Sequence, residues 1–231
     1  MDNLYYTLVS HLPFALMIVI SLPFHEFAHG FIANKLGDDT AYYQGRLTLN
    51  PFAHLDLFGT ISMVLFGFGW AKPVPVNPAR FRCNMRLGMA LTALAGPVSN
   101  LILSLLFMIL GKGSFLLALN TQNEFFLFLN WICMSISIAN IHLAFFNLLP
   151  IPPLDGSRIL NYFLPYRAQR VVDNLERYSF MILLAILLID SKMGIFSDAL
   201  SYLSYGILTA FDKITFFLED AVMIPLSYFI H

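Results

Sequence analysis

Charge is scarce in this sequence. Of its 231 residues, 12% are Asp, Glu, Lys or Arg, while 58% are hydrophobic. A soluble domain is about one quarter charged, so this chain lacks the polar surface that keeps a protein in water. A formal net charge of -1 offers no basic face, which argues against nucleic acid as a partner. We therefore expect a membrane protein, with residues 1–231 forming a single domain.

Cysteine is scarce as well. Cys83 and Cys133 are the two cysteines, and they lie far apart in the chain. This excludes a disulfide framework and predicts that both are small core residues.

Long hydrophobic runs are abundant. Crossing a bilayer takes about 20 apolar residues. Candidate spans are 5–35, 87–110, 128–149 and 195–218, with the shorter 178–189 able to extend into its flanks. The first run has no basic start and no cleavage motif, so we interpret it as a retained helix and not a signal peptide. The runs predict an all-α polytopic fold with about five or six transmembrane helices.

Glycine and proline residues set the expected helix ends. Gly37 is expected to cap the first helix, GKG at 111–113 to stop the second, and the prolines of LPIPPLDG to stop the third. The tail 220–231 is too short to span and is expected at the interface. The C-terminal helices are expected within about 170–231, after a catalytic core at about 5–165.

The segment 57–71, LFGTISMVLFGFGWA, is ambiguous. As a helix it would rise only about 22 Å, short of the bilayer core. Its glycines and the prolines that follow favour non-helical backbone. We expect a re-entrant or β-like element that is buried in protein or lines a watery cavity.

Loop charges indicate the orientation. The loops 72–86 and 155–177 carry four Lys or Arg each, whereas 111–127 carries one. The positive-inside rule places the first two loops in the cytoplasm. If 57–71 does not cross the membrane, the polar residues 25–29 and Asp155 share its cytoplasmic half; if it does cross, they lie at opposite ends.

Three ionisable residues interrupt the first apolar run, in SLPFHEFAHG. On a helix, His25 and His29 lie one turn and 40° apart, so both imidazoles can bind one metal ion. Glu26 lies beside this row, placed to take a proton from a water at the metal. Zinc fits two imidazoles and a carboxylate with one open position. Ionisable residues at membrane depth are costly and usually functional.

A third ligand is needed, and Asp155 is the best candidate, because it follows a proline-broken helix and precedes Gly156, where the backbone can turn sharply. Asp190 and Asp56 are weaker competitors. His54 is expected to assist the site without binding metal. The remaining histidines are expected to be structural or interfacial; they are His11, His142 and His231.

Four segments together resemble the site-2 protease family of zinc intramembrane metalloproteases, in its compact branch without a PDZ domain. They are HEFAHG (25–30), GWAKPVPVNPARF (69–81), AGPVSN (95–100) and FNLLPIPPLDG (146–156). The resemblance covers about residues 10–165 and implies a core of three transmembrane helices around one zinc ion. It implies that His25, His29 and Asp155 are the ligands and that Glu26 is the catalytic base.

The resemblance also implies substrate-binding roles for Asn147 and Asn77. An interhelical hydrogen bond for Asn147 and a turn cap for Asn77 are the alternatives. We assign Gly96, Pro97 and Asn100 of AGPVSN to shaping the core, with Asn100 able to bond across the interface.

The expected function is hydrolysis of a peptide bond in or near a transmembrane segment of another membrane protein. A metal transporter and an inactive membrane scaffold are rivals from other classes. A membrane protease with a glutamate as third ligand is a closer rival; its candidates would be Glu124, Glu176 and Glu219, which lack a supporting context.

Overall fold

The computed structural model describes residues 12–13, 15–56, 58–59, 61–62 and 71–216. The protein is 79% helical, and no β-strand occurs among the described residues. The expected all-α class is therefore confirmed. The predicted tail at 220–231 and most of the ambiguous segment 57–71 lie outside the described residues.

A long segment separates the first main helix from the second, and from there on the main helices follow one another with short connections. They are α1 (Leu22–Lys35), α2 (Met85–Thr121), α3 (Glu124–Leu148), α4 (Asp155–Phe163), α5 (Tyr166–Glu176), α6 (Ser179–Met193) and α7 (Ile195–Ile214). A π-helical turn, Met17–Ser21, precedes α1, and single turns at Thr40–Tyr43, Pro51–His54 and Pro78–Arg80 lie between α1 and α2. Gly37 has a φ of 109°, which agrees with its predicted place after the end of α1.

Two described helices are long and apolar enough to cross a membrane. These are α2, with 37 residues and a mean hydropathy of 2.1, and α3, with 25 residues and a mean hydropathy of 1.6. The first contains the predicted span 87–110, the second contains the predicted span 128–149 except its last residue, and together they support a membrane protein. The count of five or six spans stays a prediction.

The predicted stop at GKG is wrong, because α2 continues through it to Thr121. A Cβ on Gly111 would lie 3.1 Å from Met134 Sδ and 3.3 Å from Cys133 Cβ, so the absence of a side chain lets α3 approach closely. The buried Lys112 ammonium pairs with Asp212 Oδ1 at 2.6 Å. The glycine here serves helix packing, and the charge is neutralised inside the protein.

The chain forms two compact units. One comprises Leu101–His142 with the described residues of the two chain ends, and the other comprises Ile18–Asn100 and Leu143–Gly194. In the first unit, Ser104 and Ser137 share a hydrogen bond of 2.9 Å, and Asn130 Nδ2 donates to the Gly111 carbonyl at 2.9 Å. The second unit contains the predicted ligands, the predicted base and both predicted substrate-binding residues. The single domain stays a prediction.

Replacing Gly111 with Leu tests the contact between α2 and α3. Overpacking of this kind costs about 1–3 kcal/mol, so Gly111→Leu should lower the unfolding temperature of the purified protein. Gly113→Leu is the matched control, since nothing lies within 4 Å of a Cβ at Gly113 and the gain in helix propensity is the same. Equal unfolding temperatures for the two variants would contradict the packing role.

Candidate metal centre

Three side-chain atoms from two helices meet in one place. His25 Nε2 and His29 Nε2, both on α1, lie 3.0 Å apart. Asp155 Oδ2, at the start of α4, lies 3.3 Å from each of them. All three residues are buried, with 6–8% of their surface exposed. The structure thus brings together His25, His29 and Asp155, which the sequence predicts to share a metal ion.

Contacts behind the two imidazoles fix which nitrogen of each carries a proton. His29 Nδ1 lies 2.7 Å from the Thr92 carbonyl oxygen, which only accepts, so Nδ1 must donate. His25 Nδ1 likewise donates to Asn100 Oδ1 at 3.3 Å. In the neutral rings, both Nε2 lone pairs then point into the same space as the carboxylate oxygen.

This donor set fits a zinc ion. A tetrahedral site with ligand distances of about 2.0–2.1 Å separates neighbouring ligand atoms by about 3.3–3.4 Å. The separations of 3.0–3.3 Å observed among His25, His29 and Asp155 are close to that value. Asp155 Oδ2 is also buried without a hydrogen-bond partner among the described residues, which a cation would supply.

Asp155 lies in the first turn of α4, where the helix dipole favours the ionised form of a carboxyl group. A carboxylate is the form that binds metal.

Gly156 positions Asp155 by close approach and not, as the sequence suggested, by conformational freedom. Its φ is not positive, since the positive-φ glycines of the described chain are Gly37, Gly45 and Gly194. A Cβ on Gly156 would collide with the carbonyl oxygens of Leu148 and Leu149. The start of α4 therefore packs directly on the end of α3.

Gly96 is required for a similar reason on the other side of the site. A Cβ there would lie 2.6 Å from His29 Nε2, and it would also collide with the His25 ring. The predicted role of AGPVSN in shaping the core thus takes the form of direct contact with the two histidines. Asn100 accepts a hydrogen bond from His25, which is the predicted bond across a helix interface.

Glu26 is partly buried, and the non-helical segment 72–77 holds its carboxylate in place. Its Oε2 accepts a hydrogen bond of 2.8 Å from the Val74 backbone N–H. Arg46 Nη2 in turn donates to the carbonyl oxygens of Lys72 at 2.7 Å and Pro73 at 3.2 Å. These contacts fix the segment and orient the carboxylate next to the two histidines of α1.

The other sequence candidates lie away from the three donor atoms. His54 Nε2 donates to the Thr48 carbonyl at 2.7 Å, and Asp56 Oδ1 accepts from the Gly59 N–H at 2.8 Å. Asp190 lies near the end of α6, before Gly194. Among the described residues, none of the three belongs to the group that could hold a metal.

The two candidate substrate-binding residues make local hydrogen bonds. Asn147 Nδ2 donates to the Leu143 carbonyl at 2.9 Å within α3. Asn77 Oδ1 accepts from the Ala79 N–H at 3.1 Å and caps the turn Pro78–Arg80. Their roles in substrate binding stay predictions.

Two residues that support the site are not predicted from the sequence. Thr92 acts through its backbone carbonyl, so its side chain carries no signal. Val74 acts through its N–H; here the pattern PVPV at 73–76 offers a clue, because proline at alternate positions leaves only the two valines as backbone donors in those four residues.

A buried pair of oriented histidines and a carboxylate, with a second carboxylate beside them, is a donor set that could hold a metal ion of the kind metal-dependent hydrolases use. Comparison with known proteins agrees. Over 192 residues the chain is 43% identical to "Putative zinc metalloprotease YwhC" of Bacillus subtilis, covering 80% of this chain and 85% of that relative. It is 29% identical over 192 residues to "Putative zinc metalloprotease Rip2" of Mycobacterium tuberculosis, covering 80% and 70% of the two chains.

The family model that matches is peptidase family M50, over residues 117–189, and no solved structure matches. The chain belongs to peptidase family M50, the site-2 protease family. The predictions of a zinc-dependent metallopeptidase and of Zn²⁺ as cofactor are thereby confirmed.

Replacing Asn100 with Ala should weaken zinc binding by about 10- to 100-fold, because the His25 ring loses the partner that orients it. Zinc per protein is measured by elemental analysis after dialysis against graded chelator. Asn130→Ala is the matched control: it removes another buried amide, with a hydrogen bond to Gly111 in the other compact unit, and should leave zinc affinity unchanged. Equal zinc loss in both variants would contradict the orienting role.

Proposed function

We propose that this chain is a multi-pass, zinc-dependent intramembrane endopeptidase. Its substrate is a peptide bond in or near a transmembrane segment of another membrane protein. The observation that carries the proposal is the buried group of His25, His29 and Asp155, with Glu26 one residue from the first ligand. The ligands flank the apolar helices α2 and α3 in sequence, which supports a site within the bilayer.

Each residue of the site has one task in this proposal. His25, His29 and Asp155 hold zinc, which when bound polarises a peptide carbonyl and makes a neighbouring water more acidic. Glu26 takes the proton from that water and delivers it to the leaving amine. The Val74 N–H keeps one Glu26 oxygen engaged, so that the carboxylate keeps a fixed orientation throughout the cycle.

The substrate must present an extended backbone, because a transmembrane helix keeps its carbonyl groups in hydrogen bonds. Segment 72–77 contains no helix, its prolines favour an extended backbone, and it lies against Glu26 through Val74. The N–H of Val76 has no hydrogen bond within the described residues, so an unwound substrate can pair with it by strand addition. In this proposal the side-chain amides of Asn77 and Asn147 hold the substrate on either side of the bond to be cleaved.

The basic loops support an active site towards the cytoplasmic half of the cell membrane. The loop 72–86 precedes α2, and the basic residues of 155–177 follow α3. The start of α2 and the end of α3 therefore belong on the cytoplasmic side by the positive-inside rule.

Replacing Glu26 with Gln tests the chemistry. In proteoliposomes with a model single-span substrate, Glu26→Gln should lower the cleavage rate by at least about 10²-fold, because the general base is lost, while zinc stays bound. Asp155→Ala should lose both zinc and cleavage. Unchanged cleavage by Glu26→Gln would disprove the proposed chemistry. Zinc flux into the same proteoliposomes would favour the transporter.

The two valines of PVPVN separate orientation of the base from substrate binding. Val74→Pro removes the donor to Glu26 and should lower kcat by about tenfold without loss of zinc, since one neutral-to-charged hydrogen bond is worth about 1.5–3 kcal/mol. Val76→Pro removes the donor offered to the substrate and should instead raise KM. If both variants changed the same kinetic constant, the division of roles would be wrong.

A further inference from the structure

A cavity lies in the compact unit that contains the candidate metal centre. Its volume is about 310 Å³, and its walls come from the first turns of α2 and from α4 and α5. Arg86 and Arg158 contribute guanidinium groups from different helices. Met85 and Met89 contribute apolar surface beside them. Neither the proposed ligands nor the proposed base lines this cavity.

Several polar groups of the cavity have no partner among the described residues. None of the described residues that line it is acidic, and no described carboxylate forms a salt bridge with Arg86 or Arg158. Asn161 Oδ1 is buried without a hydrogen-bond partner in the described part of the chain. Two cationic donors next to an unsatisfied acceptor are complementary to an anion that carries a hydroxyl group.

The surroundings of the cavity are those of a membrane interface. Tyr162 borders it, and the adjacent Phe163 and Tyr166 are 73% and 63% exposed. Arg170 lies over the Tyr166 ring at 4.9 Å. Exposed aromatic and basic residues on short helices are typical of segments at the level of lipid headgroups. Both methionines can contact an acyl chain there.

We propose that this cavity binds the phosphodiester of an anionic lipid whose headgroup carries free hydroxyl groups. Arg86 and Arg158 hold the phosphate from two sides, a headgroup hydroxyl donates to Asn161 Oδ1, and Met85 and Met89 contact the glycerol and upper acyl chain. Basic pockets between helices on the cytoplasmic side are suited to such headgroups.

The position of the cavity connects it to the metal centre. Arg158 lies one helical turn after Asp155 on α4, and Met89 lies one turn before Thr92 on α2. A phosphate held by both arginines joins the helix that carries the third proposed ligand to the helix that supports His29. This consequence depends on the proposed ligand set, whereas the lipid site itself does not.

Native mass spectrometry of the full chain in detergent can test the site. The lipids are phosphatidylglycerol, zwitterionic phosphatidylcholine, and phosphatidylmethanol, an anionic phosphodiester without headgroup hydroxyls. Free glycerol 3-phosphate distinguishes a lipid from a soluble phosphate. The test variant is Arg86→Gln with Arg158→Gln. Its matched control is Arg80→Gln with Arg167→Gln, which removes the same charge from exposed positions outside the cavity.

We expect phosphatidylglycerol to bind the wild type about tenfold more tightly than phosphatidylcholine and to raise its unfolding temperature. The double variant in the cavity should lose both effects, and the control pair should keep them. Asn161→Leu should reduce the preference for phosphatidylglycerol over phosphatidylmethanol, because only the former donates a headgroup hydroxyl. Because the readout is lipid binding, it is independent of zinc and of proteolysis.

Three results would overturn the proposal. The first is equal affinity for phosphatidylglycerol and phosphatidylcholine. The second is the same loss of affinity in the control pair as in the cavity variant, which would indicate only a general charge effect. The third is glycerol 3-phosphate binding as tightly as the lipid, which would make the cavity a site for soluble phosphates.

Discussion

The structure is organised around a local electrostatic conflict. Two imidazole nitrogens and a carboxylate oxygen lie within 3.3 Å of one another in a buried place, and hydrogen bonds behind each ring direct the lone pairs inward. Such an arrangement is unfavourable without a positive charge at its centre. The same arrangement gives a cation high affinity, because little reorganisation is needed when it binds. The supporting contacts thus follow from the requirement to keep three acceptors together.

Two helical rows meet this requirement. His25 and His29 are four residues apart on α1, and Thr92, Gly96 and Asn100 repeat at the same interval on α2. Residues four apart lie along one face of a helix. The α2 row therefore supplies, in order, an acceptor for one ring, space for both rings and an acceptor for the other. The four-residue spacing thus sets both the histidine pair on α1 and the surface of α2 that orients these histidines.

Rare residue types are informative in this sequence. Histidines and acids are conspicuous in an apolar chain, and the structure shows the predicted proximity of His25, His29 and Asp155, whose roles stay predictions. Helix packing is less predictable, because the residue that contacts a glycine is not visible in the local sequence. At Gly111 the same residue that often ends a helix instead admits Met134, a contact with no signature in the local sequence. The all-α class and the positions of α2 and α3 follow from hydrophobic length; their ends depend on tertiary packing.

Asp155, the third proposed ligand, is held in place by the packing of a short helix. Helix α4 has nine residues, too few to be stable alone in water, so the position of Asp155 depends on what α4 packs against. On one side this is the end of α3, where Gly156 permits backbone contact. On another side it is the cavity lined by Arg86 and Arg158. If Asp155 binds zinc and the cavity binds a lipid, as proposed above, zinc affinity depends on the groups that occupy the interface between α2 and α4, and the lipid composition of the membrane influences the active site.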